Sequence, residues 1–335
     1  MKRRMGFIGS MLFGAGLLLA GCGTSESGTT SSNDEEASGE KTYKVGVTQI
    51  VEHPSLDAAY EGFQKALEDE GLQVEFDVQI AQGDQSNNQT IATNFVGDQV
   101  DLIFANSTPS ALAAANATKE IPIVFTSVTD PVGAELVADM NNPGGNVTGT
   151  TDTHPDAIPN TVQFIDQYVD GKKVGMIYNS GEQNSVAQIE LVKKAMDGTD
   201  LEVVEASVST SAEVKQAAES LIGKVDSIYI ITDNTVVSAL ESVISVASEQ
   251  DIPLFVGELD SVRRGGFAAY GFEYYDIGYE AGVMAAQILK GEKAPSELPV
   301  QYPQNLKLLI NEKAAEEMSV EILDEWRTEG ELVSQ

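Results

Sequence analysis

From Tyr43 onward the chain alternates short β-branched and aromatic runs with longer segments whose apolar residues recur at helical spacing. "YKVGVTQI" predicts a buried strand. "LDAAYEGFQKALEDEG" sets Leu56, Ala59, Phe63, Ala66 and Leu67 on one helical face before Gly71 ends it. "LQVEFDVQIA" predicts a second strand, "NQTIATNFVGDQ" a helix, "VDLIFAN" a strand, "SALAAANATKE" a helix and "IPIVFTSV" a fourth strand. Strand and helix in regular alternation imply parallel pairing through right-handed crossovers, hence an α/β fold with a doubly wound sheet.

The series then restarts. "KVGMIYNSGEQNS" from Lys173 answers "KVGVTQIVEHPS" from Lys44, and "LEVVEASVS" answers "LQVEFDVQ". "VDSIYIITDN" answers "VDLIFAN", and "IPLFVGELD" answers "IPIVFTSVTD". Four correspondences in one order imply two similar lobes, one around residues 43–150 and one from about residue 156. A third crossing between them follows from "YGFEYYDIGYEAGVMAAQILKGE", a strand leading into a helix with Ile277, Ala281, Met284, Ala285 and Ile288 on one face. "VQYPQNLKLLIN" reads as a further extended run and "EKAAEEMSVEILDEW" as a terminal helix. The glycine-rich "NPGGNVTG" reads as a turn at the lobe crossing.

The opening segment changes the picture from soluble domain to anchored one. "MKRRMGFIGSMLFGAGLLLAGC" has a basic start and an apolar run too short for an ordinary membrane-spanning helix, so residues 1–22 read as a secretory signal. Leu19-Ala20-Gly21-Cys22 matches the bacterial lipoprotein signal, in which the cysteine thiol takes a diacylglycerol. Cys22 is the only cysteine, which excludes an internal disulfide and a cysteine-based metal or nucleophile site. Residues 23–42 contain no large apolar group and read as a flexible tether. The expected location is extracytoplasmic on a bacterial cell membrane, held through the lipid anchor alone.

With 335 residues and 42% hydrophobic content the chain can bury a full core. The first 22 residues hold three basic and no acidic groups, leaving 17 basic against 52 acidic in the remainder. Such a surface excludes long-range attraction to nucleic acid.

In open α/β sheets ligands bind beyond the carboxyl ends of the strands, where helix N-termini offer free N–H groups. The residues that follow the strands are therefore the candidates. They are Gln49, Ile50, His53 and Ser55; Asn106, Ser107 and Thr108; Thr126, Ser127 and Asp130; Asn179, Ser180, Glu182, Asn184 and Ser185; Asp233, Asn234 and Thr235; and Glu258 and Asp260. Hydrogen-bonding neutral residues and acids suit a solute with an amine and a carboxylate better than a phosphate. Asn, Ser and Thr also cap helices without any ligand, and the two roles are compatible.

An enzyme reading has little support. Only His53 and His154 are available, neither at metal-ligand spacing, and no GxSxG, P-loop or GxGxxG is present, so no catalytic residue, metal or cofactor is assigned. The aromatic cluster Phe272, Tyr274, Tyr275 and Tyr279 reads as hinge and core packing.

In "VTQIVEHPSLDAAYEGF", "FTSVTDPVGAELV", "NPGGNVTG", "NSGEQNS", "VDSIYIITDNTVVSAL" and "YGFEYYDIGYEAG" the chain resembles the extracytoplasmic solute-binding lipoproteins of ABC importers, the tryptophan-binding or TrpX-like group among them. The resemblance covers about Lys44 to Met318. It implies a type I periplasmic-binding-protein fold, two doubly wound parallel-sheet lobes joined by a three-crossover hinge. The lobes would be residues 43–155 with 277–300, and 156–276 with 301–330. It further implies a hydrophobic or aromatic amino acid such as tryptophan held between the lobes and delivered to ABC permease and ATPase subunits. By motif position Gln49, Ile50, His53, Ser107, Thr108, Thr126, Ser127 and Asp130 would line the first lobe. Asn184, Ser185, Asp233, Asn234, Thr235 and Glu258 would line the second. An acid, Asp130, Asp233 or Glu258, would hold the ammonium group. The segment Gly257-Glu258-Leu259-Asp260 followed by Arg263-Arg264 departs from the family pattern, which bears on ligand identity more than on fold. A ligand-loaded sensor for a membrane kinase or taxis receptor, and an importer for a nucleoside or sugar, are the alternatives.

Overall fold

The computed structural model describes residues 41–334, so the signal segment 1–22 with Cys22, and tether residues 23–40, lie outside it. The first lobe is built from β1 (Thr42–Gln49), α1 (Pro54–Asp69), β2 (Gln73–Ile80), α2 (Gln85–Gly97), β3 (Leu102–Asn106), α3 (Thr108–Ala117), β4 (Ile123–Val128) and β5 (Val147–Thr151). Its sheet runs β2-β1-β3-β4-β5, all parallel. The helical face predicted for α1 is the buried one, and Phe63 stacks on Phe104 of β3 with ring centroids 3.8 Å apart.

The second lobe repeats the plan. It contains α4 (Ala157–Tyr168), β6 (Lys173–Asn179), α5 (Gln183–Ala195), β7 (Glu202–Val208), α6 (Val214–Leu221), β8 (Ser227–Ile230), α7 (Asn234–Val237), α8 (Leu240–Glu249), β9 (Leu254–Val256), α9 (Leu259–Arg263) and β10 (Ala268–Gly271). Then come α10 (Tyr274–Leu289), β11 (Lys307–Asn311), α11 (Glu312–Glu317), α12 (Asp324–Glu329) and β12 (Glu331–Val333). The order β7-β6-β8-β9-β10 matches β2-β1-β3-β4-β5 strand for strand, and β11 and β12 extend the far edge. β11 pairs antiparallel with β10, so the second sheet is parallel except for this added edge.

Two elements differ from the sequence reading. In "NPGGNVTG" the turn is confined to Gly145 and Asn146, with Gly144 and Gly145 at φ 74° and 61°, whereas Val147–Thr151 is β5. The strand was hidden because it buries hydroxyls rather than an apolar run. Thr148 Oγ1 donates to Leu298 O at 2.7 Å, and Thr150 Oγ1 donates to Ile277 O at 3.1 Å. The expected terminal helix is two short helices, broken where Ser319 takes φ 56°. Met318 and Trp326, on either side of the break, are both buried in the second lobe's core.

The chain's third crossing returns α10 to the first lobe, where it lies along α1 and beneath β4 and β5. Backbone-to-backbone contact makes this possible. A Cβ at Gly278 would overlap the Ala59 carbonyl, and one at Gly62 would overlap the Tyr275 carbonyl. Asp152, just after β5, accepts from Tyr274 Oη at 3.0 Å at the start of the same helix, which ties two of the crossing chains together. Overpacking of this kind costs about 1–3 kcal/mol, so Gly278→Ala is expected to lower stability by that order in denaturant unfolding. An unchanged midpoint would contradict the close helix pair.

Candidate functional site

Parallel strands put the carboxyl ends of β1, β3 and β4 on one edge, and those of β6, β8 and β9 on the other. Between the lobes lies a cleft of about 510 Å³, lined on one side by Ile50, Val51, Gln82, Gly83 and Gln85, and on the other by Asn179 to Glu182, Ser209 to Ser211, Asn234, Thr235 and Ser238. α3 touches α5 and α1 touches α9, so helix starts from the two lobes meet. Hydrogen bonds cross between the lobes. Ser55 Oγ donates to Glu258 Oε2 at 2.8 Å, and Gln188 Nε2 donates to Thr129 Oγ1 at 3.1 Å. The conformation is closed.

Of the residues expected in the first lobe, Ile50 lines the cleft and His53 is buried with Nδ1 unpartnered. Thr108 at the start of α3 is buried with an unpartnered Oγ1, and Ser107, at φ 113°, accepts from Ser110 N. Gln49, Asn106 and Ser127 form a network behind them. Asn106 Nδ2 donates to Gln49 Oε1 at 3.0 Å and Ser127 Oγ donates to Asn106 Oδ1 at 2.8 Å. Thr126 Oγ1 pairs with Thr150 Oγ1 at 2.8 Å, toward β5. Asp130 is half-buried and accepts from Gly133 N at 2.8 Å within its own turn.

In the second lobe Asn234 and Thr235 line the cleft, while Asn184, Ser185 and Asp233 are buried beside it. Asp233 caps α7 through Val236 N at 2.8 Å and also accepts from Asn179 N and Ser185 Oγ, each at 2.6 Å. Burial, and then the neighbouring Glu182 charge, push its carboxyl well above the usual range. Glu258 lies on the opposite flank, bonded to Ser55 and Ser261. Burial raises it to about 7, against the pull of those two bonds. His53 is lowered to about 4, first by burial and then by the Arg264 guanidinium.

Glu182 was a strand-end candidate but lay outside the set drawn from the resemblance. It receives Thr235 N at 3.1 Å, Thr235 Oγ1 at 2.7 Å, Asn234 Nδ2 at 2.6 Å and Asn184 Nδ2 at 3.2 Å. Gln82 and Ser209 to Ser211 were missed although the strand-end rule reaches them, since they follow the outer strands β2 and β7. Among the described residues no cluster could hold a metal ion, and no helix is long and apolar enough to cross a membrane.

Residues 44–331 match the family described as ABC transporter substrate binding protein. The chain belongs to the ABC transporter substrate-binding protein family. Its relatives include the tyrosine-binding protein of Clostridioides difficile (strain R20291), 42% identical over 311 residues, or 91% of this chain and 89% of that one. An ABC domain from Streptococcus pneumoniae, solved in complex with L-Trp, is 34% identical with a TM-score of 0.83, covering 88% of this chain and 100% of that one. The ligand-free, open structure of a substrate-binding protein with adhesive properties from Clostridium difficile is 39% identical with a TM-score of 0.65, covering 88% and 99%. This substrate-binding protein thus superposes better on the ligand-bound relative than on the open one, as its cross-lobe bonds require. More distant solute-binding proteins, at 15% and 17% identity, share the fold alone, the type I periplasmic-binding-protein fold.

Glu258 gives a pH signature. Its folded pKa is raised from 4.5 to about 7, so its contribution is fully present below 4.5 and is lost as pH rises through 7. Relative to Glu258→Gln, the wild type is expected to lose about 3 kcal/mol of folding stability over that window. His53, shifted downward, acts in the opposite sense in both proteins and cancels in the comparison. Unfolding midpoints of the two proteins that run parallel from about pH 4 to pH 8 would contradict the buried acid.

Proposed function

We propose that this chain is the extracytoplasmic solute-binding lipoprotein of an ABC importer, taking an aromatic amino acid, tyrosine or tryptophan, between its lobes and presenting the closed form to a permease and its ATPase. Anchoring is assigned to Cys22 and reach to the tether of residues 23–42. The lobes divide as 43–155 with 277–300 and 156–276 with 301–330. The observation that carries the reading is the set of buried polar atoms left without partners where the helix starts meet: His53 Nδ1, Thr108 Oγ1 and Asn184 Oδ1. An unsatisfied buried polar group costs about 1–3 kcal/mol, and a zwitterion lying between the lobes would satisfy all three. The tyrosine-binding relative and the L-Trp complex support the choice of solute.

In this reading Ile50, His53, Ser107, Thr108, Asn184, Asn234 and Thr235 meet the ligand. Gln49, Thr126, Ser127, Ser185 and Asp233 hold them in place, and Asp130 and Glu258 brace the flanks. The N–H and the unpartnered hydroxyl of Thr108 at the start of α3 take the carboxylate, and Ile50 with Val51 covers the apolar side chain. The cleft has no aromatic residue in its lining, which disfavours a pyranose. In a thermal-shift screen tyrosine or tryptophan at about 100 times its Kd is expected to add about 2.7 kcal/mol, with no shift from sugars or nucleosides. Silence from both amino acids beside a clear shift with a sugar or nucleoside would reject this solute.

A further inference from the structure

The two ends of the cleft are built differently. The chain crosses between the lobes beside β5 and β10, and the strand orders put β2 and β7 farthest from that crossing. Both cross-lobe bonds, Ser55 to Glu258 and Gln188 to Thr129, involve a residue that follows β9 or β4, the strands next to the crossing, and all four residues are buried. At the outer end the segments after β2 and β7 face each other, Gln82 and Gln85 on one wall and Ser209 and Ser211 on the other. These four residues are exposed, and among the described residues no hydrogen bond joins the two walls. The closed cleft therefore remains open to water at this end.

Both walls are nevertheless held in place. Gln82 and Gly83 lie in the left-handed region, at φ 57° and 76°. Glycine adopts that conformation freely, whereas glutamine adopts it only where its surroundings impose it. Here Ala81 N donates to Gln49 O at 2.9 Å and Gly83 N to Ile50 O at 2.8 Å, which clips the turn onto the end of β1 and carries Gln82 to the rim. A glutamine kept where glycine would be less strained points to a use for its side chain. Opposite, Glu213 Oε2 accepts from Ser209 N at 2.6 Å and from Thr210 N at 3.3 Å. The walls thus present neutral amides and hydroxyls, and no lysine or arginine lines the cleft. Its carboxylate, Glu182, is engaged at the inner end by Asn184, Asn234 and Thr235.

Resting on the proposed function, we infer that this outer end is a subsite for the tip of the ligand's side chain, with Gln82 as its specificity-determining residue and Ser209 and Ser211 as its partners across the cleft. The orphaned Thr108 Oγ1 and Asn184 Oδ1 place the amino-acid end of the solute among the inner strand ends. Its ring then runs past Ile50 and Val51, the apolar part of the lining, toward Gln82 and Ser209. Amide and hydroxyl groups both donate and accept, so they match a neutral hydrogen-bonding tip, a phenol hydroxyl or an indole N–H. A phenylalanine ring leaves them to water and gains nothing from them. Because this end is open, a neutral group on the phenol oxygen projects into solvent, and the solute range extends to ether derivatives of tyrosine. An anionic group meets no cation there and is repelled by a chain of net charge −32.

Titration calorimetry of the mature protein with tyrosine, tryptophan, phenylalanine and O-methyltyrosine tests the subsite, in the wild type, in Gln82→Gly and in Gln82→Gly combined with Ser209→Ala and Ser211→Ala. Glycine suits φ 57°, so the first substitution removes the side chain without straining the turn. The wild type is expected to bind tyrosine about fivefold more tightly than phenylalanine, with O-methyltyrosine within about threefold of tyrosine. Gln82→Gly is expected to lose most of that preference. The triple variant should bind tyrosine no better than phenylalanine while phenylalanine keeps its wild-type affinity, a split that general damage to the cleft would not produce. Equal binding of tyrosine and phenylalanine by the wild type, a full preference surviving in either variant, or exclusion of O-methyltyrosine would overturn the subsite while leaving the proposed function standing. No binding of tyrosine or tryptophan would overturn that function and the subsite with it.

Discussion

The structure depends on one constraint: two sheet edges rich in polar groups face each other, and closing the lobes takes those groups out of water. Burying an unpaired polar group is costly, so each must find a partner within its lobe, across the cleft or in a ligand. Most find the first. Asn106, Gln49 and Ser127 satisfy one another, and Asp233 is held by Asn179, Ser185 and Val236. Ser55 with Glu258, and Thr129 with Gln188, find the second. The few left over mark the place proposed for the solute.

The hinge gives that closure a defined path. Three segments run side by side between the lobes, and their contacts are polar and specific. Thr150 pairs through its backbone with Gln301 and through its hydroxyl with Ile277 O, and Asp152 holds Tyr274. Burial raises Asp152 to about 6, which marks how dry this crossing is. Because α10 packs backbone to backbone on α1 at Gly62 and Gly278, the returning helix is part of the first lobe's packing.

Much of the architecture was legible in the sequence because hydrophobic periodicity reports burial, and the two copies of the pattern reported two lobes. The face of α1 and the strands from β1 to β4 follow from that signal alone. β5 escaped because Thr148 and Thr150 bury hydroxyls against a crossing chain 120 residues or more away in sequence, as the bonds to Leu298 and Ile277 show. The break before α12 escaped because Met318 and Trp326 keep helical spacing while packing into one core from two helices. At the candidate site, strand ends pointed to the two edges that line the cleft. They did not reveal which acid is occupied with its own helix cap, as Asp233 is, and which faces the cleft, as Glu182 does, because that depends on partners about 50 residues away.

The central claim is that the solute occupies the junction of the facing helix starts, enclosed by both lobes. A crystal structure of the mature domain grown with L-tyrosine tests it most directly. The account predicts tyrosine buried between α1 and α3 on one side and α5 and α7 on the other, with polar atoms within hydrogen-bond distance of Thr108 Oγ1 and Asn184 Oδ1. Tyrosine bound outside the cleft, or held by one lobe with the other swung away, would contradict it.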